Sequence, residues 1–112
     1  MDCLFCKIAA GELPSNTIFE DDIVKAFYDI NPGAPVHFLV IPKQHIASVN
    51  EIDASNSAIV AHVFEVIANL AAQLKLESGY RVVSNCGVDG GQTVGHIHFH
   101  VLGGRILAWP PG

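Results

Sequence analysis

Three observations predict an α+β domain built from a mainly antiparallel sheet and one long helix. The segment from Ser55 to Leu76 repeats apolar side chains every three or four residues, which is typical of an amphipathic helix. Short runs rich in β-branched and aromatic residues lie on both sides of it. One of these runs alternates between histidine and apolar residues, which is the pattern of a strand. The predicted order is helix, hairpin, strand, helix, strand, strand, with the long helix on one face of the sheet.

The shorter elements follow from local spacing and from turn residues. A short helix is predicted over residues 3–10, because Leu4, Phe5 and Ile8 share a helical face and Gly11 follows as a stop. The run at 36–41 is almost continuously apolar and ends at Pro42, as a central strand would. The predicted strands are 17–20 and 23–28, joined as a hairpin at Asp21-Asp22, then 36–41, 80–85 and the histidine run from residue 96.

Length and composition limit the classes of function. The 112 residues, 50% of them hydrophobic, suit one domain with a substantial core. Six Lys and Arg against eleven Asp and Glu give a net charge of −5, which excludes the basic surface that polymeric nucleic acid requires. A nucleotide stays compatible as a small ligand, because glycine-loop amides can hold phosphate. Since charged residues are few, we expect the domain to hide surface in a partner, such as a second copy.

The cysteines indicate a reducing compartment. Cys3, Cys6 and Cys86 form an odd set, and the N-terminus lacks the basic and apolar regions of a signal peptide. No apolar run reaches the length of a membrane span, so no membrane partner is expected. We therefore expect a cytoplasmic protein with reduced thiols.

Half of the six histidines lie at alternate positions between residues 96 and 100. On a strand, His96, His98 and His100 would form a row on one face, roughly 6.5–7 Å apart, while the intervening apolar residues face the core. Neutral imidazole is a good nucleophile toward phosphorus and a good proton carrier. The central His98 is the predicted nucleophile, and its neighbours would fix its tautomer or move protons. The same His-x-His spacing is also a zinc pattern.

A glycine-rich loop immediately precedes the histidines. Its backbone N–H groups can form an anion cradle, to which polar side chains add donors. Alone, such a loop is commonly a flexible hairpin connection, but beside the histidine row it favours phosphorus chemistry over simple metal binding. The loop contains Gly87, Gly90, Gly91 and Gly95 around Gln92 and Thr93.

These motifs resemble a known family. His96-Ile-His-Phe-His-Val-Leu102 is similar to the His-φ-His-φ-His-φ-φ signature of the histidine-triad (HIT) family. Gly90-Gly-Gln-Thr93, Gly103-Gly-Arg105, Trp109-Pro-Pro-Gly112 and the segment 29–42 resemble its Hint branch, the nucleoside phosphoramidases. The resemblance covers essentially the whole chain, so residues 1–112 are expected to form a single HIT domain.

The resemblance implies an activity and an assembly. It implies a homodimer whose two five-stranded sheets join into one ten-stranded sheet. It also implies cleavage of the P–N bond of an AMP or GMP amide, in which His98 attacks the α-phosphorus and water hydrolyses the nucleotidyl-histidine. Gly95 departs from the branch, whose members often carry an aromatic residue there, and we expect the glycine to loosen the leaving-group side of the pocket.

The resemblance also assigns roles to further residues. From the residues alone, Asp29 would be a turn cap and the apolar side chains would be ordinary core, and only the resemblance indicates otherwise. The implied roles are a histidine chain continued by His100 and His37; a phosphate site formed by His96, Asn85, Gly91, Gln92 and Thr93; ribose binding by the carboxylate of Asp29; and an apolar slot for the base formed by Phe5, Ile8, Phe27 and Ile30.

The pair Cys3-x-x-Cys6 is half of a zinc site or simply two reduced thiols. The resemblance supplies His45 and His96 as the other ligands. A closed Cys2His2 site would be structural and would tie the N-terminal helix to the sheet. No cofactor is expected to be required for catalysis.

Three kinds of function therefore stand side by side. The first is a hydrolase of purine nucleoside phosphoramidates, with diadenosine polyphosphates as a rival substrate class within the family. The second is a nucleotide-binding adaptor in which hydrolysis is incidental. The third is a zinc hydrolase that uses the histidine triad as metal ligands.

Overall fold

A computed structural model describes residues 3–112, and within this range five strands form one sheet. The strand order is β1-β2-β3-β5-β4, and each neighbouring pair is antiparallel. The predicted α+β fold with a long helix and a short N-terminal helix is confirmed. The elements are α1 (Leu4–Ala9), β1 (Thr17–Glu20), β2 (Val24–Tyr28), β3 (Val36–Pro42), a 3₁₀ turn (Val49–Glu51), α2 (Ser57–Gln73), β4 (Tyr80–Val83) and β5 (Phe99–Gly103).

The histidine strand begins later than the alternation predicts. On β5, the last residues paired at this end are Phe99, opposite Val40 of β3, and His100, opposite Val83 of β4. His96 and His98 therefore lie in the segment that leads into β5, outside its backbone pairing. The intervening apolar residues do face the core as predicted, since Ile97 is 2% exposed.

The sheet separates two apolar layers, and α2 covers one of them. Alternate residues of β2, β3 and β5 point toward α2, because neighbouring side chains of a strand face opposite sides. Their burial against the helix supplies most of the core. The residues of this layer are Val24, Ala26, Phe38, Val40, Phe99 and Val101 from the strands and Val63, Val66, Ile67 and Leu70 from α2.

The opposite face of the sheet carries α1 and the histidines. Phe27, Leu39 and Ile41 pack there against buried side chains of α1. By the same alternation, His37 on β3 and His100 on β5 share this face. Because side chains alternate along each strand, the residues next to those that pack on α2 face the other way. This alternation places His37 and His100 on the face that α1 covers.

Two polar contacts hold α1 in place. Cys3 caps the helix, since its Sγ accepts a hydrogen bond from the backbone N–H of Cys6 at 3.3 Å. Lys25 of β2 is only 6% exposed, and its Nζ donates to the carbonyl oxygen of Ile8 at 2.9 Å. Because an unpaired buried ammonium is costly, this bond ties the helix to the sheet.

Among residues 3–112, no helix is both long enough and apolar enough to cross a membrane.

Candidate functional site

Three of the predicted catalytic histidines meet on the α1 face of the sheet. His37 Nε2 lies 2.9 Å from His100 Nδ1, and the rings of His98 and His100 are 5.1 Å apart between centroids. His37 and His98 are buried, with 8% and 5% exposed. His98 and His100 are therefore neighbours, as the spacing predicts, and His37 joins them from β3.

The hydrogen bonds fix which nitrogen of each ring carries the proton. The backbone N–H of Gly33 donates to His37 Nδ1 at 2.9 Å, so a neutral His37 carries its proton on Nε2. That proton is directed at His100 Nδ1, which must then be an acceptor. His100 consequently keeps its own proton on Nε2.

His98 is held in the complementary tautomer. Its Nδ1 donates to the backbone carbonyl of His96 at 2.7 Å, which leaves Nε2 as an unprotonated base. The ring also packs edge-on against Phe5, with centroids 5.0 Å apart. The site therefore presents one oriented imidazole lone pair beside an imidazole N–H.

The surroundings keep His100 neutral. Burial, with smaller contributions from the neighbouring His98 and His37, lowers the pKa of His100 from its ordinary value of 6.5 to about 4. At neutral pH the ring is therefore a proton-bearing but uncharged donor.

Asp29 lies beside the contact between the rings of His37 and His100. Its Oδ2 is 3.5 Å from His37 Nε2 and 3.9 Å from His100 Nδ1, while Oδ1 accepts from the backbone N–H of Asn31 at 2.8 Å. The donor atoms of Asp29, His37 and His100 all lie within 4.8 Å of one another. Because the Gly33 bond keeps a proton on His37 Nε2, this arrangement is a hydrogen-bonded chain rather than a set of free metal donors.

A second cluster brings together all four predicted metal ligands. Nδ1 of His96 lies 3.4 Å from Cys3 Sγ, 3.5 Å from Cys6 Sγ and 3.2 Å from His45 Nδ1. Cys6 Sγ and His45 Nδ1 are themselves 3.2 Å apart. The helix cap, the loop after β3 and the segment before β5 thus converge on one point.

The donor set of this cluster fits zinc. Tetrahedral Zn²⁺, with bonds of about 2.0–2.1 Å to nitrogen and about 2.3 Å to sulfur, separates its donors by roughly 3.4 Å (N to N) and roughly 3.6 Å (N to S). The distances between Nδ1 of His96, Nδ1 of His45 and the two sulfurs lie within a few tenths of an ångström of these values. In addition, His96 Nε2 donates to the carbonyl oxygen of Pro42 at 2.8 Å, which turns the unprotonated Nδ1 toward the sulfurs.

Proton release would accompany metal binding at this cluster. Burial, together with the neighbouring Cys3 thiol, raises the pKa of Cys6 to about 11. Burial also lowers the pKa of His96, with smaller contributions from His45 and His98. A cation that ligates Cys6 must therefore displace its proton, as thiolate ligation requires.

His96 belongs to both parts of the site. Its ring is fully buried among the cysteines, whereas its backbone carbonyl accepts the proton of His98. The ring is therefore directed away from the chain formed by His37 and His100.

Two side chains predicted to bind phosphate, Asn85 and Gln92, form hydrogen bonds to the backbone of the glycine loop and its surroundings. Gln92 donates to the carbonyl oxygens of Ala47 and Val94 at 2.8 and 3.0 Å, and its Oε1 accepts from the N–H of Gly87 at 3.0 Å. Asn85 Nδ2 donates to the carbonyl of Gly90 at 2.7 Å. Thr93 is exposed, and the positive φ of Gly91 (78°) lets the chain turn there.

The residues predicted to hold the base fall into two groups. Phe5, Ile8 and Phe27 are buried at 7%, 8% and 5%, and the rings of Phe5 and Phe27 pack edge-on 5.8 Å apart. Ile30, in contrast, is 91% exposed. The apolar surface that remains available to a ligand is therefore the edge of this cluster together with Ile30.

Several contacts in the site could not be predicted from the residue pattern. The groups that fix His37 and His96 are the backbone N–H of Gly33 and the carbonyl of Pro42, neither of which has a side-chain signature. The buried Lys25 likewise reads as an ordinary polar residue of a strand. Such roles depend on tertiary placement.

An open cavity of about 590 Å³ lies away from the histidines, where β4 begins and β5 ends. Its lining includes Lys75, Tyr80, Arg81 and Arg105 and none of the six histidines. We place the candidate chemistry at the histidines, because the oriented donors and acceptors converge there.

Comparison with known proteins gives one consistent answer. A model of the HIT domain family matches residues 10–107. An uncharacterised HIT-like protein of Synechococcus elongatus is 51% identical, over 99% of this chain and 97% of the relative. The crystal structure of a HIT family hydrolase from Legionella pneumophila superposes with a TM-score of 0.97 at 50% identity, covering 99% and 100% of the two chains. A histidine triad nucleotide-binding protein of Candida albicans superposes with a TM-score of 0.83 at 34% identity, covering 97% and 83%. With its oriented histidines and this likeness over nearly its whole length, the chain belongs to the HIT family.

Proposed function

We propose that this protein is a nucleotidyl-transferring hydrolase that cleaves the P–N bond of purine nucleoside 5′-phosphoramidates, such as AMP or GMP amides. The observation that supports this proposal most directly is the tautomer of His98. Its Nδ1 proton is bound to the His96 carbonyl at 2.7 Å, so Nε2 is an oriented nucleophile. The hydrolase named in the Legionella structure and the nucleotide binding named in the Candida protein agree with this class of reaction.

In the first step, His98 Nε2 attacks the α-phosphorus. The Nε2–P bond forms, the P–N bond breaks, and the amine leaves with one proton that enters from solvent. The hydrogen-bonded rings of His37 and His100, with Asp29 beside the contact between them, offer a route for that proton. The carbonyl of His96 stabilises the imidazolium character that His98 acquires.

In the second step, water attacks the phosphorus of the nucleotidyl-histidine. The Nε2–P bond breaks, the nucleoside monophosphate is released, and the water's proton returns to solvent by the same route. The overall reaction converts the amide and water into an amine and a nucleotide, and His98 is regenerated.

Binding of the nucleotide is assigned to the surrounding residues. We propose that the backbone N–H groups of the loop around Gly91, with Asn85 and Thr93, face the phosphate. His96, whose ring is buried among the cysteines, would act on this site only through its backbone carbonyl. Gln92 would act mainly through the loop, because its amide already bonds the chain at three points. Asp29 would bind the ribose hydroxyls, and Phe5, Ile8, Phe27 and Ile30 would contact the base.

The geometry favours this reaction over a catalytic zinc at the triad. Catalytic zinc sites keep an open position beside three protein ligands. Here His98 Nδ1 and His37 Nε2 each carry a proton within a hydrogen bond, and the ring of His96 is directed to the cysteines. Diadenosine polyphosphate hydrolysis uses the same nucleophile and stays the rival substrate class.

We further propose that Cys3, Cys6, His45 and His96 bind a structural zinc ion. Four protein donors close the coordination sphere, which leaves no position for substrate. When bound, the ion would link α1 to the segment that carries His98.

We also propose that the protein is a homodimer whose β4 strands meet to form a ten-stranded sheet. In residues 3–112, β4 is an edge of the sheet, and unpaired edge groups favour pairing with another strand. Tyr80, Ile106 and Trp109 lie in this region and are 41%, 92% and 84% exposed. Sedimentation equilibrium should give twice the chain mass of 12.0 kDa, and a monomer at micromolar concentration would contradict the proposal.

The decisive test compares adenosine phosphoramidate with diadenosine polyphosphate in a steady-state assay. Rapid quenching and mass analysis should reveal an AMP adduct on the peptide that contains His98. His62→Ala, a histidine change on α2 outside the site, serves as the matched control. Absence of an adduct together with negligible turnover would favour the nucleotide-binding adaptor, and preferential cleavage of the diadenosine compound would favour the rival substrate.

A further inference from the structure

Ser84 makes a contact that the reaction described above leaves unused. It follows directly after the last residue of β4, and its Oγ donates to the backbone carbonyl of His98 at 3.0 Å. The side chain is half-buried, and its hydroxyl crosses from one strand to the segment that enters the next. A side chain therefore holds the backbone of the proposed nucleophile.

The backbone pairing of the sheet does not reach His98. On one side the pairing ends with Val40 opposite Phe99, and on the other with Val83 opposite His100. The hydroxyl of Ser84 thus acts where the ladder between β4 and β5 has stopped. Without it, the His98 carbonyl would lose this tie to β4 in a region where an unpaired carbonyl is costly.

This tie matters because the other anchor of His98 is local. The bond from Nδ1 to the His96 carbonyl joins residues two positions apart, so it fixes the ring relative to its own segment. It does not fix that segment relative to the sheet, which carries His37 and His100. The neighbours of His98 hold the segment on the β3 side, where His96 Nε2 donates to the Pro42 carbonyl and the Ile97 N–H donates to the Ile46 carbonyl at 2.7 Å. Ser84 supplies the constraint on the β4 side, and it acts on His98 itself.

We propose that Ser84 is a positioning residue, whose hydroxyl sets the direction of His98 Nε2 relative to the phosphorus. The inference rests on the proposed function, in which His98 is the nucleophile. Displacements of about 1 Å in a reacting group can reduce rates by roughly 100-fold. Since Ser84 acts on the nucleophile rather than on the substrate, its loss should lower kcat and leave KM almost unchanged.

The test compares Ser84→Ala, which removes the hydroxyl, with Ser84→Thr, which keeps it. Ser78→Ala is the matched control, because Ser78 is exposed and lies outside the site. With adenosine phosphoramidate, Ser84→Ala should reduce kcat by about 10-fold to 100-fold, with KM within about 2-fold. Ser84→Thr should recover most of the loss, and Ser78→Ala should match the unmodified protein. Unchanged kcat in Ser84→Ala, or equal loss in a stably folded Ser84→Thr, would overturn the proposal.

A measurement without substrate separates this inference from the proposed function. Solvent exchange of the His98 Nδ1 proton, followed by NMR in ¹⁵N-labelled protein, should accelerate about 10-fold or more in Ser84→Ala. The His96 Nε2 proton, bound to the Pro42 carbonyl, serves as the internal reference and should keep its exchange rate. If the unmodified protein cleaves no phosphoramidate, the proposed function fails, and this exchange measurement still decides whether Ser84 positions His98. Equal exchange in both proteins would overturn the role of Ser84.

Discussion

His37 and His100 are joined ring to ring across two strands, with 2.9 Å between Nε2 of the first and Nδ1 of the second. The register of β3 and β5 sets His37 opposite Leu102 and Leu39 opposite His100. The two histidines are therefore diagonal neighbours on one face, a separation that long or aromatic side chains can bridge. The pair links β3 to β5, the strand that follows His98.

The environment of His100 in this pair predicts that the free energy of unfolding decreases as the pH falls. The lowered pKa of His100, about 4 against 6.5 in the unfolded chain, means that the folded state binds fewer protons between these values. The contribution of His100 to the free energy of unfolding is complete above pH 6.5. It is lost as the pH falls toward 4, with a slope of at most about 1.4 kcal/mol per pH unit. Urea unfolding between pH 7.5 and 4.5 should show this slope and should show it reduced in His100→Gln. An equal slope in both proteins would contradict the assignment.

The contribution of His62 to the free energy of unfolding should depend on pH in the opposite direction. Its Nε2 lies 2.6 Å from Asp21 Oδ2, and this hydrogen bond raises the pKa of His62 above its ordinary value. The stabilisation is therefore present below pH 6.5 and is lost as the pH rises through the raised pKa. His62→Gln should remove this pH dependence of the unfolding free energy above pH 6.5, while the slope that His100 causes in acid stays unchanged. Loss of the acid slope instead would show that the two effects had been assigned to the wrong residues.

Removal of His98 should separate chemistry from binding. His98→Ala should lower phosphoramidate turnover by at least about 1,000-fold, because the covalent route disappears. AMP affinity, measured by calorimetry, should change by less than about 5-fold, since the other contacts to the nucleotide persist. Normal turnover in this variant would show that the mechanism is wrong.

The thiols should bind zinc and stabilise the fold. Purified protein should contain about one zinc per chain by elemental analysis, and Cys3→Ser or Cys6→Ser should lose it. The unfolding free energy should fall by roughly 3–4 kcal/mol if free zinc is several hundred times its dissociation constant. Cys86→Ser is the matched control, because Cys86 lies outside the cluster and should keep both metal and stability. Zinc retained in both ligand variants would place the metal elsewhere.

Arg81 should control the C-terminal tail. Its guanidinium donates to the carbonyl oxygens of Leu107, Ala108 and Pro111 at 3.1, 2.7 and 3.2 Å. Arg81→Ala should free this segment and lower the fluorescence anisotropy of Trp109, which is the only tryptophan in the chain. Arg81→Lys should restore little, because an ammonium cannot reproduce the planar fork. Anisotropy that stays constant in both variants would mean that other contacts hold the tail.

The sequence predicted the sheet well because its signals are local. The apolar runs located β1 to β4 within two residues, whereas the histidine run was placed three residues ahead of the start of β5. The periodicity from Ser55 to Leu76 located α2 apart from its last turn. That turn is lost because Leu74 already caps the helix and Lys75 has a positive φ of 61°. Chain-local patterns thus suffice where secondary structure and burial agree.

The site was less predictable, because several of its contacts join groups that are distant in sequence. The residue pattern alone grouped His96 with His98 and His100. The family resemblance added His96 to Cys3, Cys6 and His45, and the fold places its ring among them. Gln92 reads as a phosphate donor, yet its amide bonds the carbonyl of Ala47, 45 residues away. Ser84 carries no signal at all, since a serine at a strand end is commonplace.

The double use of His96 has a consequence for how this protein can diverge. Cys3, Cys6 and His45 would affect the reaction only through a metal ion that they bind together. Homologous proteins with other residues at these three positions would lose the metal ion and keep the catalytic histidines. Any residue at position 96 could still offer its carbonyl to His98, but only a ring bonded to the Pro42 carbonyl supports that backbone from within the buried layer. During evolution, Cys3 and Cys6 should therefore be substituted more readily than His96.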